Sequence, residues 1–236
     1  TLEGGHFLDD LEKNGVANLL SQIMMEGTAH RTPEELEEEI ALLGASIRMY
    51  TTNESIGIRG NTLSRNLKET LDLVTEILLE PRWDEEELER LRTRALNDIR
   101  RSDANPNIIA RNTFNKMLYG EDHVLGHPSY GSMESVAAIT MDDLKAFYNT
   151  YFSPSVSSFQ IVGKTNKSDV LNYLSQLGER WEAKEVSFPE FPTPQERDNA
   201  TLYFVDVPNA KQSVINIGYP SLSRSDDDFY AAQVMN

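Results

Sequence analysis

The stretch GVANLLSQIMMEGTAHRT, residues 15–32, contains the pattern on which the fold prediction rests. Its apolar residues recur at helical spacing, namely at Val16, Leu19, Leu20, Ile23 and Met24. This spacing predicts an amphipathic helix that ends before Gly27-Thr28. Residues three and four apart share one face of a helix, so Asn18, Ser21 and Gln22 are expected to lie side by side. Many metal sites use this arrangement, but none of these three residues is a good zinc ligand.

The segments that follow alternate between helices and a hairpin. PEELEEEIALL predicts a helix that starts at Pro33, with Thr32 as N-cap and Glu35 completing a capping box. Residues 45–52 and 54–61 predict two antiparallel strands around a polar turn. Further helices are predicted over 63–80, over 84–103 with Asp84 as cap, from the break at Asn105-Pro106 to about Tyr119, after Thr140 and over 168–177. Together they predict an α+β fold, in which a largely antiparallel sheet packs against several helices.

The richest cluster of prolines in the chain is FPEFPTPQERD, residues 188–198, and it predicts a linker. We therefore expect a first α+β domain over 1–185, a Pro-rich linker over 186–198, and the truncated start of a second, similar domain over 199–236. Strands are predicted at SSFQIVG, TLYFVDVP and QSVINIGYP, and a last helix in RSDDDFYAAQVMN.

Composition excludes several classes of function. The chain of 236 residues carries 38 acidic and 22 basic residues, a formal net charge of −16, which argues against binding to nucleic acid or to an anionic membrane surface. The acidic surface either serves solubility or attracts basic peptides. No cysteine is present, so disulfides and thiol catalysis are excluded. No apolar run predicts membrane insertion, no signal-peptide pattern opens the chain, and we expect it to be a piece of a longer protein.

Six stretches in collinear order resemble the pitrilysin/insulinase family of zinc peptidases, which includes the mitochondrial processing peptidases. They are GGHFLDD, GVANLLSQIMMEGT, HRTPEELEEEIALLGASI, ELERLRTRALNDIRRSDANP, YGEDHVLGHPSYGSMESVAAIT and MDDLKAFYNTYFSPSVSSFQIVG. The resemblance covers nearly the whole chain. It implies a fold like that of mitochondrial processing peptidase, in which α+β units enclose a chamber, and by analogy with bacterial relatives it implies a periplasmic location.

Catalytic members of this family carry an inverted zinc motif, H-x-x-E-H, shortly before a Gly-Thr. Matching on Gly27-Thr28 puts Asn18 and Gln22 at the two histidines and Ser21 at the glutamate. The third zinc ligand then corresponds to Asp98, and an acidic residue that supports the site corresponds to Leu91. The resemblance thus implies a degenerate motif at Asn18, Ser21, Gln22 and Asp98, with no catalytic residue.

The chemistry of these substitutions predicts that the chain binds no metal. Zinc prefers imidazole, thiolate or carboxylate ligands, whereas Asn and Gln offer neutral amide oxygens. Ser21 has no partner in the pattern that would make it a general base. His123 and His127 lie in a Gly- and Pro-rich loop, and we do not expect a metal there. Zinc is expected only in an active half or partner.

The resemblance also implies that peptides add a strand to a sheet edge, here about Ala45–Thr51, with Ile47, Arg48 and Met49 as the candidate peptide-binding residues. This mode of binding uses backbone hydrogen bonds and can survive the loss of catalytic residues. An ordinary edge strand, or one that the rest of the protein covers, is the alternative.

Three functions are compatible with this sequence. The preferred one is an inactive domain that completes the peptide chamber of a catalytic half, either in the same chain or in a partner subunit. The second is a purely structural or protein-binding subunit with no proteolytic partner. The third, an active peptidase in this chain, is disfavoured because the zinc motif is degenerate.

Overall fold

The computed structural model describes residues 1–194, 199–208 and 210–235, which contain ten α-helices and one three-stranded sheet. The strands are β1 (Leu2–Glu3), β2 (Ser46–Thr51) and β3 (Ser55–Asn61). The helices are α1 (Val16–Ile23), α2 (Pro33–Leu42), α3 (Leu67–Leu79), α4 (Glu85–Ser102), α5 (Pro106–Tyr119), α6 (Met133–Ala138), α7 (Met141–Tyr151), α8 (Lys167–Tyr173), α9 (Ser175–Arg180) and α10 (Phe229–Met235). The predicted α+β class is confirmed, with more helix than strand.

The sheet is antiparallel, with strand order β1-β3-β2. The predicted hairpin is confirmed: β2 and β3 pair along their length, with Ile47 opposite Gly60 and Met49 opposite Ile58. β3 lies in the centre, so β2 is an edge strand among the residues that the structure describes.

Helix α1 has a glycine as its N-cap, and a carboxylate from outside the helix accepts hydrogen bonds from its first turn. Gly15 has φ = 103°, a left-handed conformation that favours glycine. Asp9 accepts hydrogen bonds from the backbone N–H groups of Gly15 and Ala17, each at 2.8 Å, and so satisfies donors that the first turn leaves free. The apolar face of α1 is buried in the main core, which it shares with α4, α6 and α7.

A second, smaller core holds the hairpin against α2 and α3, and its fully buried members are Leu36, Ile47, Leu73 and Ile77. The predicted capping box is present: Glu35 N–H donates to Thr32 Oγ1, and Thr32 N–H donates to the Glu35 carboxylate. Met49 and Ile58 pack against both cores, so the hairpin joins them.

Several predicted elements do not form. SSFQIVG is no strand: only Thr1 and Ser158 exchange backbone hydrogen bonds there, at 2.8 and 2.9 Å, next to an isolated bridge between Leu2 and Ser157. TLYFVDVP and QSVINIGYP form no strand in their described residues either. The predictions were wrong because alternation marks a face to be buried, whereas a strand also needs a neighbour for its backbone groups. The helix predicted over 168–177 is divided between α8 and α9.

The predicted linker, 186–198, forms neither helix nor strand over 186–194, and its last four residues lie outside the described part of the chain. The division into domains on either side of it stays a prediction. Within the described residues, no helix has the length and apolar character needed to cross a membrane.

Candidate functional site

The polar face of α1 is closed by hydrogen bonds between its own side chains. Gln22 Nε2 donates to Asn18 Oδ1 at 2.6 Å, across one turn of the helix. Ser21 Oγ donates to the backbone oxygen of Asn18 at 2.9 Å. The structure therefore brings Asn18, Ser21 and Gln22 together as predicted, but each is occupied by a neighbour on the same helix.

Ser21 also joins α1 to the end of the edge strand. Its side chain is buried, and Thr51 Oγ1 lies 3.0 Å from both Ser21 Oγ and the backbone oxygen of Ala17. Since the Ser21 proton is directed to Asn18, this hydroxyl is a structural link between helix and sheet. Peptide hydrolysis needs a general base at this position, and a serine hydroxyl is too weak a proton acceptor near neutral pH to be one.

Asp98 is exposed on α4, with a side chain 57% accessible, and forms an ion pair with Arg101 at 3.1 Å. No hydrogen bond joins it to α1 in the described part of the chain. Leu91, seven residues earlier, is fully buried in the main core, where a carboxylate would lack a partner.

These residues do not fit a zinc ion. The α1 face offers two amides bonded to each other and a hydroxyl bonded to a carbonyl, whereas zinc sites use imidazole, thiolate or carboxylate. Across residues 1–194, 199–208 and 210–235, no group of three or more histidine, aspartate or glutamate side chains is arranged to hold a metal.

The two loop histidines are used separately. His127 Nε2 lies 2.7 Å from the backbone oxygen of Glu121, and His123 Nδ1 accepts the backbone N–H of Leu125 at 3.0 Å. Burial lowers the pKa of His123, which favours its neutral form. This loop therefore stabilises its own backbone.

Beneath α1 lies a buried pair, His6 and Asp9, which was not among the predicted site residues although it lies in the stretch GGHFLDD. His6 Nδ1 lies 2.9 Å from Asp9 Oδ2, and His6 Nε2 lies 3.1 Å from the backbone oxygen of Val124. The pair ties the start of α1 to the loop after α5, and the signal in the sequence was the His-x-x-Asp spacing before Gly15.

The candidate peptide-binding strand, β2, presents three different environments. Ile47 is buried, Arg48 is exposed and Met49 is half-buried. Thr52 N–H donates to Ser55 oxygen, its opposite residue, so the alternation of an antiparallel ladder directs the backbone groups of Ile47, Met49 and Thr51 away from β3. These groups face the open edge of the described sheet.

Two family models, both of peptidase M16, and several relatives match this chain. The family model of the insulinase family, peptidase family M16, matches residues 1–127, and that of the peptidase M16 inactive domain matches residues 138–236. An uncharacterised zinc protease of Bacillus subtilis is 24% identical over 185 residues, 77% of this chain and 45% of that protein. One of Streptomyces coelicolor is 23% identical over 227 residues, 94% of this chain and 49% of that protein.

Solved structures confirm the predicted fold. The peptidase M16 inactive domain from Pseudomonas fluorescens superposes with a TM-score of 0.75 at 24% identity, over 82% of this chain and 47% of that one. The chain spans about half the length of the curated relatives it matches. The first family model alone accounts for more than half of the residues, and the chain is therefore a member of the insulinase family of peptidases, family M16.

Proposed function

We propose that this chain is a catalytically inactive zinc-peptidase-like domain that completes the peptide-binding chamber of an active metalloendopeptidase half. The observation that carries the proposal is the hydrogen bond between Gln22 and Asn18, at the two positions where catalytic members of the family have histidines. With Ser21 in place of the glutamate, the helix has neither the ligands nor the base for hydrolysis. The active half carries H-x-x-E-H and belongs either to the same polypeptide or to a partner subunit.

The edge strand supports a role in holding peptide. β2 borders the degenerate face directly, because Thr51 at its end contacts Ser21. Its outward backbone groups can pair with an extended peptide without using any catalytic residue. A domain of this kind retains a peptide-binding surface after losing its zinc site.

The experiment compares the chain alone with the chain joined to its catalytic half. The catalytic half is identified by searching the parent polypeptide and the neighbouring genes for H-x-x-E-H followed by a distal glutamate. Fluorescently labelled casein is the substrate, and zinc content is measured in parallel. We expect no cleavage and no stoichiometric zinc in the chain alone, and chelator-sensitive cleavage in the assembled protein.

Two variants of the assembled protein sharpen this comparison. Replacing the motif glutamate of the active half with glutamine should abolish cleavage, whereas Asp98→Asn should leave cleavage and zinc content unchanged, because Asp98 is exposed and paired with Arg101. Zinc loss in Asp98→Asn would overturn the proposal. If neither the parent polypeptide nor a neighbouring gene encodes H-x-x-E-H, the alternative function, a purely structural subunit, takes the place of the proposed one.

Peptide binding to β2 is tested with a matched pair of variants. Met49→Ala removes the side chain but keeps the outward N–H, whereas Met49→Pro removes both, and proline is tolerated where a strand N–H faces solvent. One lost hydrogen bond costs about 0.5–1.5 kcal/mol, so Met49→Pro should weaken peptide binding about two- to tenfold beyond Met49→Ala. Fluorescence anisotropy with a labelled unfolded peptide measures this. Equal affinity of the two variants would remove β2 from the peptide site.

A further inference from the structure

Hydrogen bonds hold the backbone of Lys184, two residues before the predicted linker at 186–198. Lys184 N–H donates to Ser153 Oγ at 3.0 Å, and Ser153 Oγ and Ser155 Oγ donate to the Lys184 oxygen at 2.9 and 2.6 Å. Ser153 is fully buried, so the two bonds that it makes are partly shielded from water, whereas the bond from Ser155 is exposed. We call residues 184–194 the strap.

Seven residues further along, the strap is attached again by an aromatic ring. Phe191 stacks on His123, with ring centroids 5.0 Å apart and planes at 30°, and contacts Phe7 at 5.7 Å. Tyr119 supports the stack by contacting the His123 ring at 5.1 Å. Phe7, Tyr119 and His123 therefore form an aromatic seat for Phe191, built from the N-terminal segment, α5 and the loop that follows α5.

Burial and an accepted hydrogen bond favour a neutral His123. Its Nδ1 accepts the Leu125 N–H, so the proton of the neutral ring is on Nε2. A second proton would displace that hydrogen bond and place a charge in a stack where the ring is only 7% exposed. Burial accordingly lowers the pKa of His123 from the ordinary value of 6.5.

The ionisable groups around His123 do not counter this effect. They are Tyr119 on α5, Glu121 and Asp122 just before His123, His6, which reaches Val124, and the exposed Glu190 next to Phe191. Glu121 is paired with Lys116 at 2.8 Å, and desolvation is the one cause of the pKa shift at His123.

We propose that residues 184–194 are a docked strap, held by the insertion of Phe191 into the seat of Phe7, Tyr119 and His123, and released when His123 is protonated. The proposal does not depend on the proposed function.

Proteolysis measures docking, because endoproteinase Glu-C cuts after Glu190 only when the strap leaves the surface. Phe191→Ala is expected to speed this cleavage at pH 7.5 by about tenfold, whereas Phe188→Ala should not, since the exposed Phe188 makes none of the ring contacts found in the described chain. Rates are normalised to synthetic peptides of residues 184–194 with the same substitutions. Equal normalised rates for both variants would overturn the docking proposal.

A second readout follows the seat itself. In an NMR spectrum, ring currents from Phe191 shift the His123 ring protons, so Phe191→Ala should move these resonances and Phe188→Ala should leave them in place. Unmoved His123 resonances in Phe191→Ala would contradict the stack. This measurement needs no cleavage near the substituted residue.

Acid release has its own test. Burial lowers the pKa of His123, and the strap covers its ring, so docking should be complete above about pH 6.5 and weaken as the pH falls towards the lowered value. The normalised Glu-C cleavage rate of the natural chain should therefore rise between pH 7.5 and 5.5. His123→Phe keeps an aromatic ring but cannot titrate, and its rate should stay constant. An equal rise in both, or in neither, would refute the switch.

Discussion

Replacing Asn18 and Gln22 together by histidine is expected to give this chain a zinc affinity that its natural sequence lacks. The two side chains already meet across one turn of α1, with Gln22 Nε2 2.6 Å from Asn18 Oδ1. Imidazoles at these positions can share a metal ion, since neutral imidazole is a good zinc ligand and an amide is not. We expect the zinc affinity to rise at least about tenfold, a gain of about 1.4 kcal/mol.

Isothermal titration of zinc into the double variant and the natural chain checks this gain. Asn18→Ala with Gln22→Ala is the matched control, because it removes the same amide pair without adding a ligand. No peptidase activity should appear, since Ser21 remains in place of the base and Asp98 is turned to solvent with Arg101. Stoichiometric zinc in the natural chain would contradict the assignment of the site as degenerate.

Removing the Asp9 carboxylate is expected to cost about 3–5 kcal/mol of the free energy of unfolding, because each buried donor left without an acceptor costs about 1–3 kcal/mol. The carboxylate of Asp9 is fully buried and serves three donors, namely His6 Nδ1 and the backbone N–H groups of Gly15 and Ala17. Asp9→Ala leaves all three without a partner at the start of α1. Since domains are stable by only about 5–15 kcal/mol, this is a large fraction of the total.

The neighbouring Asp10 is the control for this experiment. Asp10 is exposed and caps a short 3-10 helix through Glu12 N–H at 2.8 Å, so Asp10→Ala should cost about 0.5–2 kcal/mol. Asp9→Asn keeps one acceptor oxygen, so its loss of unfolding free energy should lie between those of Asp9→Ala and Asp10→Ala. It replaces Asp9→Ala in the comparison if that variant is too unstable to measure. Urea unfolding at pH 7 gives the three free energies. Equal losses in Asp9→Ala and Asp10→Ala would show that the buried pair does not anchor α1.

Elements with strong local signals were predictable. The capping box of Thr32 and Glu35 involves residues three apart, and the hairpin of β2 and β3 has a three-residue turn, so the pattern and the structure coincide. The periodicity of α1 buries Leu19 and Leu20 for the same reason. Its polar face is equally local, because Asn18 and Gln22 are one turn apart.

Strands were harder, and the chain shows why. SSFQIVG alternates like a strand, but only Ser157 and Ser158 of it contact the N-terminal segment, and Phe159 stays half exposed. Alternation tells which residues prefer burial, while a ladder depends on a second segment at the right distance. No local pattern states whether that segment is present.

The sequence by itself determined the chemistry of the α1 face, since an amide or a hydroxyl is a poor zinc ligand in any fold, and it determined the helices whose signals lie within a few residues. Only the tertiary structure decided how that face is used: Ser21 meets Thr51, Asp98 turns to Arg101, and His6 reaches Val124 across 118 positions of the chain. It also decided that Phe191 docks on His123. Such contacts depend on the path of the whole backbone, which places distant residues together only after the two cores have formed.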